Sequence, residues 1–256
     1  MYIGLSKILT FIISFTTILL GQDVDTLSTN SKELILNVHG ILTLPNSSFG
    51  TMSDNTTSIT NRNGFKIGDK IGAAKAGFGL GLELSNPVWF SGMKWIVSAK
   101  LLINPVNGSE VQSIYRSQWG DTIKVNLDFG NWINIPLMTG LKYNYQFSSN
   151  FECYGLLQGG ANFSKAPSLK ATDVDIIIEE AKYEFVTDFS FNAGVGIIFN
   201  KKYTFGINYL NLSTPRYKGT KELNQNYFPN IFRVKNSIIA EERRISIFSF
   251  TFGILF

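Results

Sequence analysis

The last residues of the 256-residue chain restrict its fold more than any other segment. In Arg243 to Phe256 (RRISIFSFTFGILF), Phe248, Phe250, Phe252, Ile254 and Phe256 recur at every second position. Ser249, Thr251 and Gly253 occupy the positions between. A period of two is that of a β-strand with one apolar face and one small or polar face. In water such a strand would template aggregation. Against lipid its phenylalanines are well solvated, so the pattern predicts a strand whose outer face meets a bilayer.

Composition agrees with a membrane-embedded all-β chain. Phe occurs 21 times and Tyr 10 times, whereas charged residues make up 16%. A single His and a single Cys argue against a metal or redox enzyme, so no cofactor and no bound metal is expected. Cys153 has no partner for an intrachain disulfide, and a lone thiol assigns no redox compartment. The formal charge of +4 comes from scattered basic residues, not a stripe, so no nucleic-acid partner is expected.

The amino terminus has the features of a cleaved export signal. Lys7 supplies the positive region, Ile8 to Leu20 the apolar core, and Gly21 the small residue at the cut. The apolar core is shorter than the ~20 residues that a spanning helix needs. Residues 1–21 are therefore expected to be a signal peptide and residues 22–256 one barrel domain. With no longer apolar stretch, a membrane-embedded mature chain must span as a closed barrel.

Eight alternating segments follow: Glu33 to Leu44, Gly72 to Leu84, Met93 to Ile103, Trp132 to Phe147, Phe151 to Phe163, Phe185 to Phe199, Tyr203 to Leu212 and Arg243 to Phe256. The connections alternate long and short. Pro45 to Lys70, Asn104 to Asn131, Ser164 to Glu184 and Ser213 to Glu242 are long; Ser85 to Gly92, Ser148 to Asn150 and Asn200 to Lys202 are short. Outer-membrane barrels follow this rule, with tight periplasmic turns and large extracellular loops. Hairpin parity agrees with the assigned faces. It sets Gly194 opposite Asn208, Gln146 opposite Glu152 and, in one simple register, Glu83 opposite Lys94. The fold expected is an all-β, closed, antiparallel up-and-down transmembrane barrel. IKVNLDF (Ile123 to Phe129) leaves two alternatives open: an addition that makes ten strands in place of eight, or a hairpin extended above the membrane.

With these segments, the chain resembles the OmpA/OmpX-like small outer-membrane β-barrels of Gram-negative bacteria. The terminal strand ending in Phe256 is the most specific element; INIPLMTGLKY (Ile133 to Tyr143) and YGLLQGGANFS (Tyr154 to Ser164) are also similar to its strands. The resemblance implies that Phe248, Phe250, Phe252 and Phe256 form the signal read by the barrel-assembly machinery. It also implies a bacterial outer-membrane location among lipid and lipopolysaccharide, as a monomer.

Eight strands enclose side chains, not an open pore. Lys75, Glu83, Lys94, Lys100, Lys142, Glu152 and Asp188 are expected inside as a polar network that pairs its own charges. His39, the one candidate for imidazole catalysis, falls mid-strand on the inward face and is taken as structural. Asp173, Asp175, Glu179 and Glu180 lack the spacing of a calcium loop and are taken as a solvated loop face. The expectation is a non-enzymatic barrel presenting extracellular loops for binding of an unknown ligand, adhesion or envelope integrity. The alternatives are a narrow channel or carrier for a small apolar molecule and, third, a lipid-modifying enzyme using His39.

Overall fold

The fold is that of a computed structural model of the chain, described for residues 34–46, 49–50, 73–88, 91–109, 111–112, 125–173, 176–223 and 237–256. The segment expected to be a leader, residues 1–21, lies outside the described residues.

Eight strands close into one antiparallel barrel. They are β1 (Ile35–Pro45), β2 (Gly77–Pro87), β3 (Met93–Pro105), β5 (Asn131–Gln146), β6 (Phe151–Lys165), β9 (Val186–Phe199), β10 (Tyr203–Asn211) and β13 (Ser246–Leu255). The strands follow one another round the wall in chain order, and β13 returns to β1 to close it. Closure pairs Val38 with Ile254, Leu42 with Phe250 and Leu44 with Phe248. Leu36 and Phe256 exchange backbone hydrogen bonds of 3.1 and 2.8 Å, so the ladder reaches the last residue. No edge is left in the wall, as a lipid environment requires.

The expected faces are those observed. Phe250 and Leu80 point away from the barrel with 42% and 67% of their surface exposed, while Asn134, Asn162 and Ser190, on the inner face, are wholly buried. Aromatic pairs tie neighbouring strands on the outside: Phe205 with Phe252 at 4.9 Å and Tyr209 with Phe248 at 5.3 Å between ring centroids. Phe248 to Phe256, at about 3.3 Å per residue and a tilt of about 40°, rises about 20 Å, close to the apolar band of an outer-membrane barrel.

The turns between strands are tight. Asn200 and Lys201 both take left-handed conformations, φ 51° and 54°, which reverses the chain between β9 and β10. Gly92 has φ 80°, and a Cβ there would stand 2.5 Å from the Asn144 carbonyl oxygen, so only glycine suits this corner.

The long connections differ from expectation, because three of them contain strands. β4 (Val125–Phe129), β7 (Leu169–Asp173), β8 (Ile176–Tyr183), β11 (Arg216–Leu223) and β12 (Ser237–Glu242) form a separate five-stranded antiparallel sheet in the order β12-β11-β8-β7-β4. The described part of IKVNLDF, Val125–Phe129, therefore adds nothing to the barrel, which has eight strands. Its strand β4 pairs with β7 instead, Leu127 opposite Ala171.

The second strand also starts later than expected. Ala73 turns left-handed at φ 48°, Ala74 is buried, and Lys75 is exposed ahead of Gly77. The Asn104 amide donates to the Lys75 carbonyl at 3.0 Å, which satisfies that backbone oxygen outside the strand.

Candidate functional site

Two regions hold the polar chemistry of the described residues: the barrel lumen and the sheet beyond it. Alternation sends every second side chain inward, and the neighbouring strands stack these residues into layers.

At the end carrying the short turns, Ile96, Tyr154, Leu156 and Ile198 form a small apolar cluster with Leu255 packed against it. At the end carrying the long connections, a larger apolar core includes Ile41, Leu102, Trp132, Leu210, Ile247 and Tyr217. Phe49 and Tyr217 both meet the Trp132 ring edge-on, at 5.3 and 5.7 Å between centroids. These inward apolar residues were missed in the sequence, where the inward face was expected to be polar throughout. The odd-numbered Ile245 and Ile247 opposite the phenylalanine stripe were the available signal.

Between the apolar ends lies a polar middle. Lys142 Nζ meets Glu83 Oε1 at 2.8 Å across the lumen, with both side chains almost fully buried. The same ammonium stands 4.1 Å from the centre of the Tyr154 ring. Gln158 donates to Ser98 Oγ at 3.0 Å, and Asn192 donates to Gln158 Oε1 at 2.7 Å. Nearer the long connections, Ser164 Oγ and the Asn162 amide donate to Asn134 Oδ1 at 2.8 and 3.1 Å. Ser164 Oγ and the Tyr217 hydroxyl also share a hydrogen bond.

The expected network residues thus occupy different places. Glu83, Lys100 and Lys142 are buried in the lumen; Lys94 and Glu152 are half-buried towards the short turns. Glu152 accepts from the Asn144 amide at 3.0 Å. Asp188 is half-buried at the opposite end and accepts from its neighbour's backbone N–H, that of Phe189, at 2.8 Å. Two expectations need correction. Glu83 does not face Lys94, because the β2–β3 register puts Ser98 opposite Glu83 and Pro87 opposite Lys94. Connection length alone does not set register. Lys75 is not in the lumen, for the backbone reason given above.

His39 is buried on β1, and its Nδ1 has no hydrogen-bond partner. Gly81 lies opposite it on β2, where a Cβ would come within 2.2 Å of His39 Nε2. The imidazole therefore lies across the β2 backbone, well inside the wall.

The outer sheet alternates too. Ala171, Ala181 and Tyr217 are buried on one face, and Lys170, Lys182, Arg216, Lys218 and Thr220 are exposed on the other. Lys182 meets Glu180 at 2.8 Å on the exposed face, and that carboxylate holds the ammonium above its usual range. Burial pushes the Tyr217 hydroxyl well above the usual tyrosine range. The acidic group of the third long connection is not a solvated face throughout. Glu179 is buried in β8 and pairs with Lys221 of β11 at 2.7 Å, because strand pairing turned it inward. Asp175 lies outside the described residues.

No protein-family model and no curated protein sequence matches the chain. Among solved structures the chain is similar to the crystal structure of Neisserial surface protein A (NspA). The identity is 10%, over 87% of this chain and 95% of that one, with a TM-score of 0.41. It is also similar to Ail, the attachment invasion locus protein of Yersinia pestis, at 12% identity over 87% of this chain and 97% of that one, TM-score 0.35. Ail in complex with the heparin analogue sucrose octasulfate aligns at 9% identity over 88% and 99% of the two chains, TM-score 0.36. Similarity this distant extends neither a ligand nor an activity to the chain.

Proposed function

We propose that this chain is an integral outer-membrane barrel that does no chemistry itself and holds a folded sheet outside the membrane for binding, adhesion or envelope integrity. The observation that carries the proposal is the inverted wall: phenylalanine and leucine exposed all round the outside, amides and the Lys142–Glu83 ion pair sealed inside. In water that distribution is unstable, and in lipid it is the stable one. The lumen supports a scaffold over a conduit, since apolar clusters occupy both ends of its polar middle. The long connections then face outside the cell, where rigidly held surfaces serve recognition. Short β-strands give the outer sheet more rigidity than free loops would have.

Planar-bilayer recording with the purified full-length protein tests the scaffold against the conduit. A scaffold gives no steady conductance. Stable, ion-selective unitary currents, reproduced in independent preparations, would instead establish transport.

A further inference from the structure

The outer wall is not evenly covered. On β6, Gly155 takes an outward position between Tyr143 of β5 and Val195 of β9. A Cβ added to it would meet nothing within 4 Å. One row further from the short turns, Ala193 of β9 stands between Leu157 and Tyr209. These two small residues form the floor of a groove of about 1010 Å³, around which Tyr143, Leu157, Val195, Ile207 and Tyr209 rise. A hydrocarbon chain lying in the groove gains dispersion contacts on its flanks that a convex wall does not offer.

At the short turns the same face ends in two lysines. Lys201 and Lys202 follow Phe199 in the turn between β9 and β10, and both are exposed. Lys202 Nζ stands 5.8 Å from the centre of the Tyr203 ring, an aromatic at the edge of the apolar band. The Asn200 N–H donates to the Asn150 carbonyl at 2.8 Å, which joins this turn to Ser148–Asn150. Neither turn contains an acidic residue. Neither lysine makes an ion pair with a described residue.

Groove and lysines are one leaflet apart. Ala193 lies six residues along β9 from Phe199. At about 3.3 Å per residue and a tilt of about 40°, that is about 15 Å in depth. Half of an apolar band about 25 Å tall is close to this depth. A lipid with its phosphate at the turn therefore brings the end of an acyl chain to the groove.

We propose that the β6–β9 face binds one anionic phospholipid from the leaflet on the short-turn side. Lys201 and Lys202 hold its phosphodiester, and an acyl chain lies in the groove over Gly155 and Ala193. Charge selects the lipid, since two ammonium groups without a neighbouring carboxylate favour a net-negative headgroup over a zwitterionic one. Shape selects the place on the wall. The inference rests on the lipid-facing reading of that wall.

The test refolds the full-length protein into phosphatidylcholine vesicles, with or without a minority of phosphatidylglycerol. Native mass spectra of protein released from the mixed vesicles show one retained phosphatidylglycerol, enriched several-fold over its share of the bilayer. Lys201→Asn combined with Lys202→Gln removes that enrichment, and asparagine keeps the left-handed turn at residue 201. Gly155→Leu fills the groove with both lysines in place and also loses the retained lipid. The open space at its Cβ lets this variant fold. No enrichment in the wild type, or enrichment unchanged in either variant, overturns the proposal. A chain that never enters vesicles overturns the membrane reading and this inference with it. One that enters without lipid preference overturns this inference alone.

Discussion

Individual lumen residues share one scarce resource, the Glu83 carboxylate. Lys142 holds it directly at 2.8 Å, and Lys100 is buried in the same lumen without an ion pair to a described residue. This makes the pair asymmetric. Replacing Glu83 by Gln strands two buried lysines, whereas replacing Lys142 by Met frees the carboxylate for Lys100. Breaking a buried pair costs about 3–5 kcal/mol, so Glu83→Gln should fall in that range and Lys142→Met clearly below it. A double-mutant cycle on detergent-resistant unfolding measures both, with the double variant costing less than the sum of the singles. Additive, equal effects would show that the two side chains do not share the lumen as described. The sequence supplied the residue types and their inward parity. It could not say that Lys142, not Lys94, reaches Glu83, because that contact crosses a third strand.

Among the elements, β13 carries the clearest prediction. Its phenylalanines lie beside Leu42 and Leu44 on one flank and Ile207 and Tyr209 on the other. Phe250 sits inside the apolar band, and Phe256 ends it. A lipid-facing Arg costs about 2–4 kcal/mol at the bilayer midplane and falls to about 0–1 near the interfaces. Phe250→Arg should therefore lower folded stability more than Phe256→Arg, as measured by urea titration in lipid vesicles. Loss of Phe256 should act mainly on assembly, reducing the heat-modifiable folded form in cells. A soluble sandwich core would show no such dependence on depth. Equal penalties at the two positions would count against the lipid-facing assignment.

For the molecule as a whole, the proposed orientation gives the outer sheet and the short turns different exposure in a cell. In a Cys153→Ser background, Thr220→Cys on the exposed face of β11 should react with a membrane-impermeant maleimide on intact cells. Ser149→Cys, in the turn between β5 and β6, should react only after lysis. The reverse pattern would invert the barrel in the membrane. Cys153 itself lies on the outer wall of β6, half-buried, so its removal disturbs neither the lumen nor the sheet.

Alternation in the sequence was sufficient for the eight wall strands, their two faces and the closure of β13 on β1. A period of two is a local property, and a lipid exterior leaves one way to satisfy both faces. The same rule left the sheet of β4, β7, β8, β11 and β12 hidden, since these strands are short and mix charges with apolar residues on both sides. Their pairing joins three separate connections, so no local pattern announces it. The apolar clusters at the lumen ends were hidden for a related reason. Ile41, Leu102, Trp132 and Ile247 pack against one another only once the wall has closed and brought distant strands face to face. Register decided the rest: it moved Glu179 into the buried face of β8, placed Glu83 under Lys142, and laid the His39 ring over Gly81.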